Sequence, residues 1–223
     1  MLGLIEWGRL DYGIALERMR ALRSGRRRGE IPDTLILVEH PPVITVGVQG
    51  NDGENLPEDL PVYHVERGGK STYHGPGQIV GYPIVDLDRR GRDVRRFVHD
   101  VEEMVVRAVH EFGIVATRVP GRRGVWVDAE RKIASVGVAV EEWVTFHGFA
   151  LNVGTDLTRF RQFHPCGFDG AVMTSVTQEL GLSVDVSALR TPLIRAWERV
   201  FADEIARASG ALVIDPVPSG PGP

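Results

Sequence analysis

Apolar residues recur along this chain with two periods. Tyr12, Ala15, Leu16, Met19 and Leu22 lie three or four apart, which predicts an amphipathic helix after Asp11 that ends near Gly25. Val94, Phe97, Val98, Val101, Met104, Val105, Ala108, Val109 and Phe112 form a longer stripe of the same kind, with Asp93 as N-cap and Gly113 as stop. The Met and Phe of that stripe are core packing. Thr191-Pro192 opens a last helix, proline being tolerated in a first turn. Its buried face is Leu193, Ala196, Trp197, Val200, Phe201 and Ile205.

The remaining apolar runs are short and β-branched. Residues 34–38 (TLILV) read as a buried strand, broken by His40-Pro41-Pro42 and resumed over residues 43–46. Residues 62–65 and 79–87 are two more, with Pro83 marking an edge or an irregularity in the second. Residues 114–119, 125–127, 133–140 and 144–153 follow as successive strands. Residues 50–61 are polar and rich in turn formers, a predicted mobile loop, and the Pro/Gly tail over 216–223 is predicted to be disordered. Strands outnumber helices and arrive in runs. The expectation is an α+β fold, a mixed β-sheet with packed helices, forming one domain over residues 1–215.

Composition narrows the class. At 223 residues and 43% hydrophobic, the chain can bury a sizeable core. A net charge of −4 argues against nucleic-acid binding. One cysteine, Cys166, excludes an internal disulfide and fits a reducing compartment. The first residues lack the features of a signal peptide and no apolar stretch is long enough to cross a bilayer. A cytoplasmic enzyme without membrane contact is expected.

Three segments carry candidate chemistry. Arg67-Gly68-Gly69-Lys70-Ser71-Thr72-Tyr73-His74-Gly75-Pro76-Gly77-Gln78 holds four glycines, which permit close approach of backbone to a ligand. Its ordinary reading is a tight surface turn, and it has neither the phosphate-loop nor the dinucleotide spacing. In Arg131-Lys132-Ile133-Ala134-Ser135-Val136-Gly137-Val138, Lys132 opens an apolar strand. Such a lysine is ordinarily solvated, but a partly buried one can act as a base. In Phe163-His164-Pro165-Cys166-Gly167-Phe168, the flanking proline and glycine set the cysteine on a turn. Most free cysteines are inert core residues; a turn can instead present a thiol and aim backbone N–H groups at a reacting carbonyl. His164 is a rival base.

The other polar features are weaker. Arg26-Arg27-Arg28 reads as a solvated helix face. His74 and His147 either line a site or serve as structural hydrogen-bonding groups, and His40, before two prolines, reads as structural. No pair among the seven histidines has metal-ligand spacing with Cys166, so neither metal nor cofactor is expected.

RGGKSTYHGPGQIVGYPIVDL, RKIASVGV, TFHGFALNV and FHPCGFDGAVMTSV, in this order and preceded by LILVEHPPVITVG, resemble the lipoyl(octanoyl) transferase family, also called lipoate–protein ligase B. The resemblance covers most of the chain between Thr34 and Leu180. It implies a fold like the catalytic domain of biotin- and lipoate-protein ligases. It also implies transfer of octanoyl from octanoyl-acyl-carrier-protein to a specific lysine of lipoyl domains, those of 2-oxoacid dehydrogenase complexes and the glycine-cleavage H protein. By the same resemblance Cys166 forms the acyl-thioester and Lys132 is its partner. The acyl group then lies against the loop from Arg67 to His74, the turn Ser135-Val136-Gly137 and the segment Gly148-Phe149-Ala150.

These roles agree with the chemistry. Thioester exchange onto a thiolate is nearly isoenergetic and needs no ATP, and aminolysis to the amide runs downhill. A neighbouring ammonium raises the thiolate fraction of a thiol whose free pKa is about 8.5. Val136, Val138, Phe149 and Leu151 are candidates for an acyl channel. Two arginine clusters could dock an acidic carrier, Arg89-Arg90-Arg92-Arg95-Arg96 and Arg122-Arg123; the second is nearer Lys132 in sequence and is preferred. Three alternatives remain open on the residues alone: an ATP-dependent lipoate ligase of the same fold, a cysteine hydrolase, and a noncatalytic acyl-binding module.

Overall fold

A computed structural model describes residues 2–50, 56–163 and 169–208, with side chains in the last stretch as far as residue 202. The predicted tail over 216–223 and part of the predicted loop over 50–61 therefore lie outside the described residues.

Among the described residues, ten strands and four helices follow one another. They are β1 (Gly3–Arg9), α1 (Tyr12–Arg27), β2 (Thr34–Glu39), β3 (Val43–Val46), β4 (Val62–His64), β5 (Ser71–His74) and β6 (Gln78–Ile84), then α2 (Val94–His110), β7 (Ala116–Val119), β8 (Arg122–Val127), β9 (Arg131–Glu141), β10 (Val144–Asn152), α3 (Val176–Leu180) and α4 (Arg190–Ala208). Seven strands make one mixed sheet in the order β1-β2-β6-β10-β9-β8-β7, and β4-β3-β5 make a small second sheet. Among the described strands, β1–β2 and β3–β4 pair in parallel and the other pairs are antiparallel. The α+β expectation holds.

The main sheet is covered on both faces, which explains why its central strands read as unbroken apolar runs. In β2, Leu35 and Leu37 join the core beneath α2 and α4, while Ile36 and Val38 join the core beneath α1. Asp93 caps α2 as expected, accepting from the Arg96 N–H at 2.9 Å. Among the described residues, no helix is long and apolar enough to cross a membrane.

Four expectations need correction. Residues 3–9 form the edge strand β1, which the sequence reading did not contain. Part of the predicted glycine-rich loop is strand β5. Pro83 lies in the interior strand β6, so of its two readings the irregularity holds: the β6–β10 ladder stops before it, and the Thr145 hydroxyl donates to the Pro83 carbonyl at 2.7 Å. That strand also ends at Ile84 rather than at residue 87, and a 3-10 turn follows over Leu87–Arg90.

The fourth concerns charge. Arg27 and Arg28 are exposed, but Arg26 is buried. Its Nε lies 2.7 Å from Asp33 Oδ1, and the buried Arg90 holds the other oxygen, Oδ2, at 2.8 Å. Arg90 also donates to the Phe201 carbonyl at 3.3 Å. One carboxylate thus ties the end of α1, the approach to β2, the turn after β6 and helix α4. Burying these charges is tolerable only because each is paired and hydrogen-bonded. Asp33→Ala should therefore lower unfolding stability by roughly 3–5 kcal/mol in urea titrations, whereas Arg28→Ala, at an exposed pair, should leave the midpoint nearly unchanged.

Candidate active site

A cavity of about 290 Å³ opens on the α1 side of the main sheet. Its floor comes from β9, β10 and β6, and its roof from Tyr12 of α1 and the Arg67-Gly68-Gly69 crossing with Thr72 and His74 of β5. Gln49, Gly121 and Arg123 form an exposed rim.

Most of the predicted site meets here: Lys132, Arg67, Gly68, Gly69, Thr72, His74, Ser135, Val136, Gly137, Gly148, Phe149 and Ala150. Lys70, Ser71 and Tyr73 are not on the wall. Strand alternation explains two of them. Thr72 and His74 face the cavity, while Tyr73 turns the other way, edge-on to Phe160 at 5.5 Å, and Ser71 shares its face. Two channel candidates are also corrected. Val138 and Leu151 belong to the core under α2 and α4 and do not line the cavity. Cys166 and His164 lie outside the described residues.

Lys132 owes its place to a break in alternation. Val125 pairs with Ala134, yet Trp126 pairs with Lys132, so Ile133 is an extra residue in β9. Ile133, Ala134, Val136 and Val138 all enter the core beneath α2 and α4. The bulge turns Lys132 to the opposite face, the one that carries Trp126, Ser135 and Gly137. There Lys132 is only 2% exposed, with Nζ 5.5 Å from the centre of the Trp126 ring. The ordinary reading of a strand-start lysine as solvated does not apply to Lys132. Its backbone is held by Thr174, whose N–H donates to the Lys132 carbonyl at 3.0 Å, and by a bridge to Met173.

A second break places His147. Its φ of +57° is unusual for a residue inside a strand. As a result the Phe146 and His147 rings lie on one side of β10, 4.9 Å apart, where regular alternation would separate them. His147 Nε2 then faces Glu66 Oε2 at 3.4 Å, and Arg20 clamps the same carboxylate.

A buried hydrogen-bond network joins the roof to the Lys132 strand. Arg67 Nη2 donates to the Thr45 carbonyl at 2.7 Å and to its hydroxyl at 2.9 Å. His74 Nδ1 donates to Gln78 Oε1 at 2.8 Å, since the Gln78 amide nitrogen already donates to Asn152 Oδ1 at 2.9 Å. Asn152 in turn donates to the Thr174 carbonyl at 3.0 Å. Sequence reading missed Tyr12, Val80 and Tyr82 as wall residues. Tyr12 was absorbed into a helix stripe, where only its hydroxyl distinguished it from ordinary core.

The histidines beneath the roof are neutral near pH 7. Burial, with the neighbouring His40 and Arg67 next, lowers His74 to about 3. Burial and Arg67 lower His147 to about 4, and burial lowers His40 to about 4. Burial also pushes the Tyr12 and Tyr82 hydroxyls upward. These groups therefore act as hydrogen-bonding groups rather than as charges, and His74, His147, Tyr12 and Tyr82 do so on the cavity wall.

The fold is that of the solved lipoate and biotin protein ligases. The model of the lipoyl protein ligase A/B catalytic domain matches residues 11–198. The octanoyltransferase of Geotalea uraniireducens is 43% identical over 203 residues, covering 91% of this chain and 94% of that one. A bipartite lipoate protein ligase from Thermoplasma acidophilum superposes with a TM-score of 0.67 at 17% identity, covering 97% and 100% of the two chains. The biotin protein ligase of Aquifex aeolicus gives 0.55 at 10%, covering 92% and 71%. The chain belongs to the lipoyl protein ligase A/B catalytic-domain family, and it is an acyltransferase.

The buried histidines imply a pH dependence. Each has a folded pKa below its ordinary 6.5. Between those values the unfolded chain binds protons that the folded one cannot. Stability is therefore full above about pH 6.5 and falls as pH drops toward 4, by up to roughly 1.4 kcal/mol per pH unit for each histidine. Thermal melts at pH 7 and pH 5 should show the lower midpoint at pH 5, and a flat profile would contradict neutral burial.

Proposed function

We propose that this protein transfers an octanoyl group from octanoyl-acyl-carrier-protein to a specific lysine of lipoyl domains, through a thioester on Cys166. One observation carries the reading. A bulge turns a buried lysine into a cavity lined in part by glycines, in a chain with octanoyltransferase relatives.

In the first step the Cys166 thiol loses its proton to the Lys132 amine, and its sulfur attacks the donor thioester carbonyl. A new C–S bond forms as the donor C–S bond breaks, and the carrier thiol leaves with the proton. In the second step the acceptor lysine nitrogen attacks the Cys166 thioester. The amide C–N bond forms, the Cys166 C–S bond breaks, and Lys132 relays the proton from nitrogen to sulfur. Both steps pass through an anionic tetrahedral oxygen, and an ammonium on Lys132 favours that charge. Lipoyl domains of 2-oxoacid dehydrogenase complexes and the glycine-cleavage H protein are the proposed acceptors.

Docking of an acidic carrier is assigned to Arg122 and Arg123. Both are exposed, and Arg123 stands on the cavity rim. The competing cluster is largely committed elsewhere: Arg90 is buried on Asp33, and Arg89, Arg92 and Arg96 face Asp86, Asp88 and Asp100.

Mass spectrometry after mixing with octanoyl-acyl-carrier-protein should find a hydroxylamine-labile octanoyl adduct on Cys166. Cys166→Ala should abolish adduct and transfer, and Lys132→Ala should slow acylation by roughly 10²–10⁴-fold. Near wild-type turnover in Cys166→Ala would end the covalent reading; acylation only with free acid and ATP would favour a ligase. Reversing Arg122 and Arg123 to Glu should raise KM for the carrier substrate and weaken its salt dependence, with kcat little changed.

A further inference from the structure

Glu102 interrupts the apolar stripe of α2. It adjoins Val101 and precedes Met104 and Val105, all wholly buried, and is itself only 8% exposed. Burial pushes its carboxyl above the ordinary value. A buried acid costs free energy unless its oxygens are hydrogen-bonded. Here Oε1 accepts from the backbone N–H of Gly124 at 2.8 Å. Nothing in the transfer chemistry above uses this carboxylate.

Gly124 lies in β8, directly against the Lys132 side chain. Its φ of +109° suits glycine and strains any L side chain. A Cβ there would lie 2.8 Å from Lys132 Cε and against the Ala134 carbonyl oxygen. The far end of the lysine therefore rests on bare backbone. Trp126, two residues on, supplies the other contact. Lys132 Nζ is 5.5 Å from the centre of its buried ring, and Trp126 Nε1 donates to the Arg122 carbonyl at 3.2 Å. Glu102 thus holds from α2 the stretch of β8 on which the amine is seated.

We propose that Glu102 and Gly124 are positioning residues for Lys132: the carboxylate fixes the Gly124 backbone, and that backbone fixes where the amine stands. The bulge at Ile133 selects the face of the sheet, and the Gly124 seat selects the place on that face. Neither residue lines the cavity, so both act through Lys132. The inference rests on the transfer reading, in which Lys132 takes the Cys166 proton, and adds what aims it.

The test is a double-mutant cycle on the rate at which octanoyl-acyl-carrier-protein acylates Cys166. Glu102→Met removes the acceptor at similar volume and should slow acylation roughly 10–100-fold, with KM for the carrier little changed. Glu102→Gln keeps an acceptor for the Gly124 N–H and should recover most of that loss. In a Lys132→Ala background, Glu102→Met should alter the remaining rate by less than about twofold, because the amine it aims is gone. Gly124→Ala should slow acylation in the same Lys132-dependent way, and the Glu102 variants keep the test available if the glycine variant does not fold. A Glu102→Met variant that acylates at the wild-type rate, that is slowed equally with and without Lys132, or that is matched in its loss by Glu102→Gln, overturns the positioning role and leaves the transfer reading standing. Wild-type protein that accepts no acyl thioester overturns the transfer reading itself, and the positioning role falls with it.

Discussion

The site depends on the two-residue period of β-strands and on two places where that period is broken. A regular β9 would send Lys132 into the core under α2 and α4, where a lysine has no business. One extra residue, Ile133, moves it to the cavity face. A regular β10 would send His147 to the far side of the sheet from Phe146; a left-handed backbone at His147 brings both rings together. Alternation holds in β5, which divides into cavity-facing Thr72 and His74 and core-facing Tyr73. Backbone irregularity of this kind costs free energy, and it persists because the packing on both faces leaves no alternative.

That packing is supported at a distance. Asp33 holds Arg26 and Arg90 and thereby locks α1 against the sheet end and α4. Tyr12 and Met19 project from the same helix: Tyr12 forms part of the cavity roof, and the Met19 sulfur accepts the His147 backbone N–H at 3.1 Å. The polar network from Arg67 and Thr45 through His74, Gln78 and Asn152 to Thr174 then couples the roof to the strand of Lys132. The wall is rigid because its polar atoms are satisfied by one another.

Sequence patterns revealed the three long helices, most strands and the glycine-rich segments, because periodicity and turn residues are local signals; the short α3 over Val176–Leu180 was not among them. They were silent where the determinant was tertiary. Arg26 and Arg90 looked like surface charge because Asp33 is remote from Arg90 in sequence. The edge strand over Gly3–Arg9 escaped because its alternating exposure leaves no apolar run. Lys132 drew attention by its position at a strand start, yet nothing about Ile133 announced a bulge. Tyr82 looked like one more strand residue, since its place on the cavity wall depends on a register that only the folded sheet defines.

The exposed rim has a consequence for traffic. Among the described wall residues, Gln49, Gly121 and Arg123 are open to solvent, while Lys132 sits sealed beneath them. A side chain or thioester arm that reaches Lys132 must come in past that rim. If the transfer proposed above runs here, donor and acceptor meet the same rim and must take turns on it. The order of the reaction would then follow from a shared doorway, with the spent donor acting as a competitor of the acceptor.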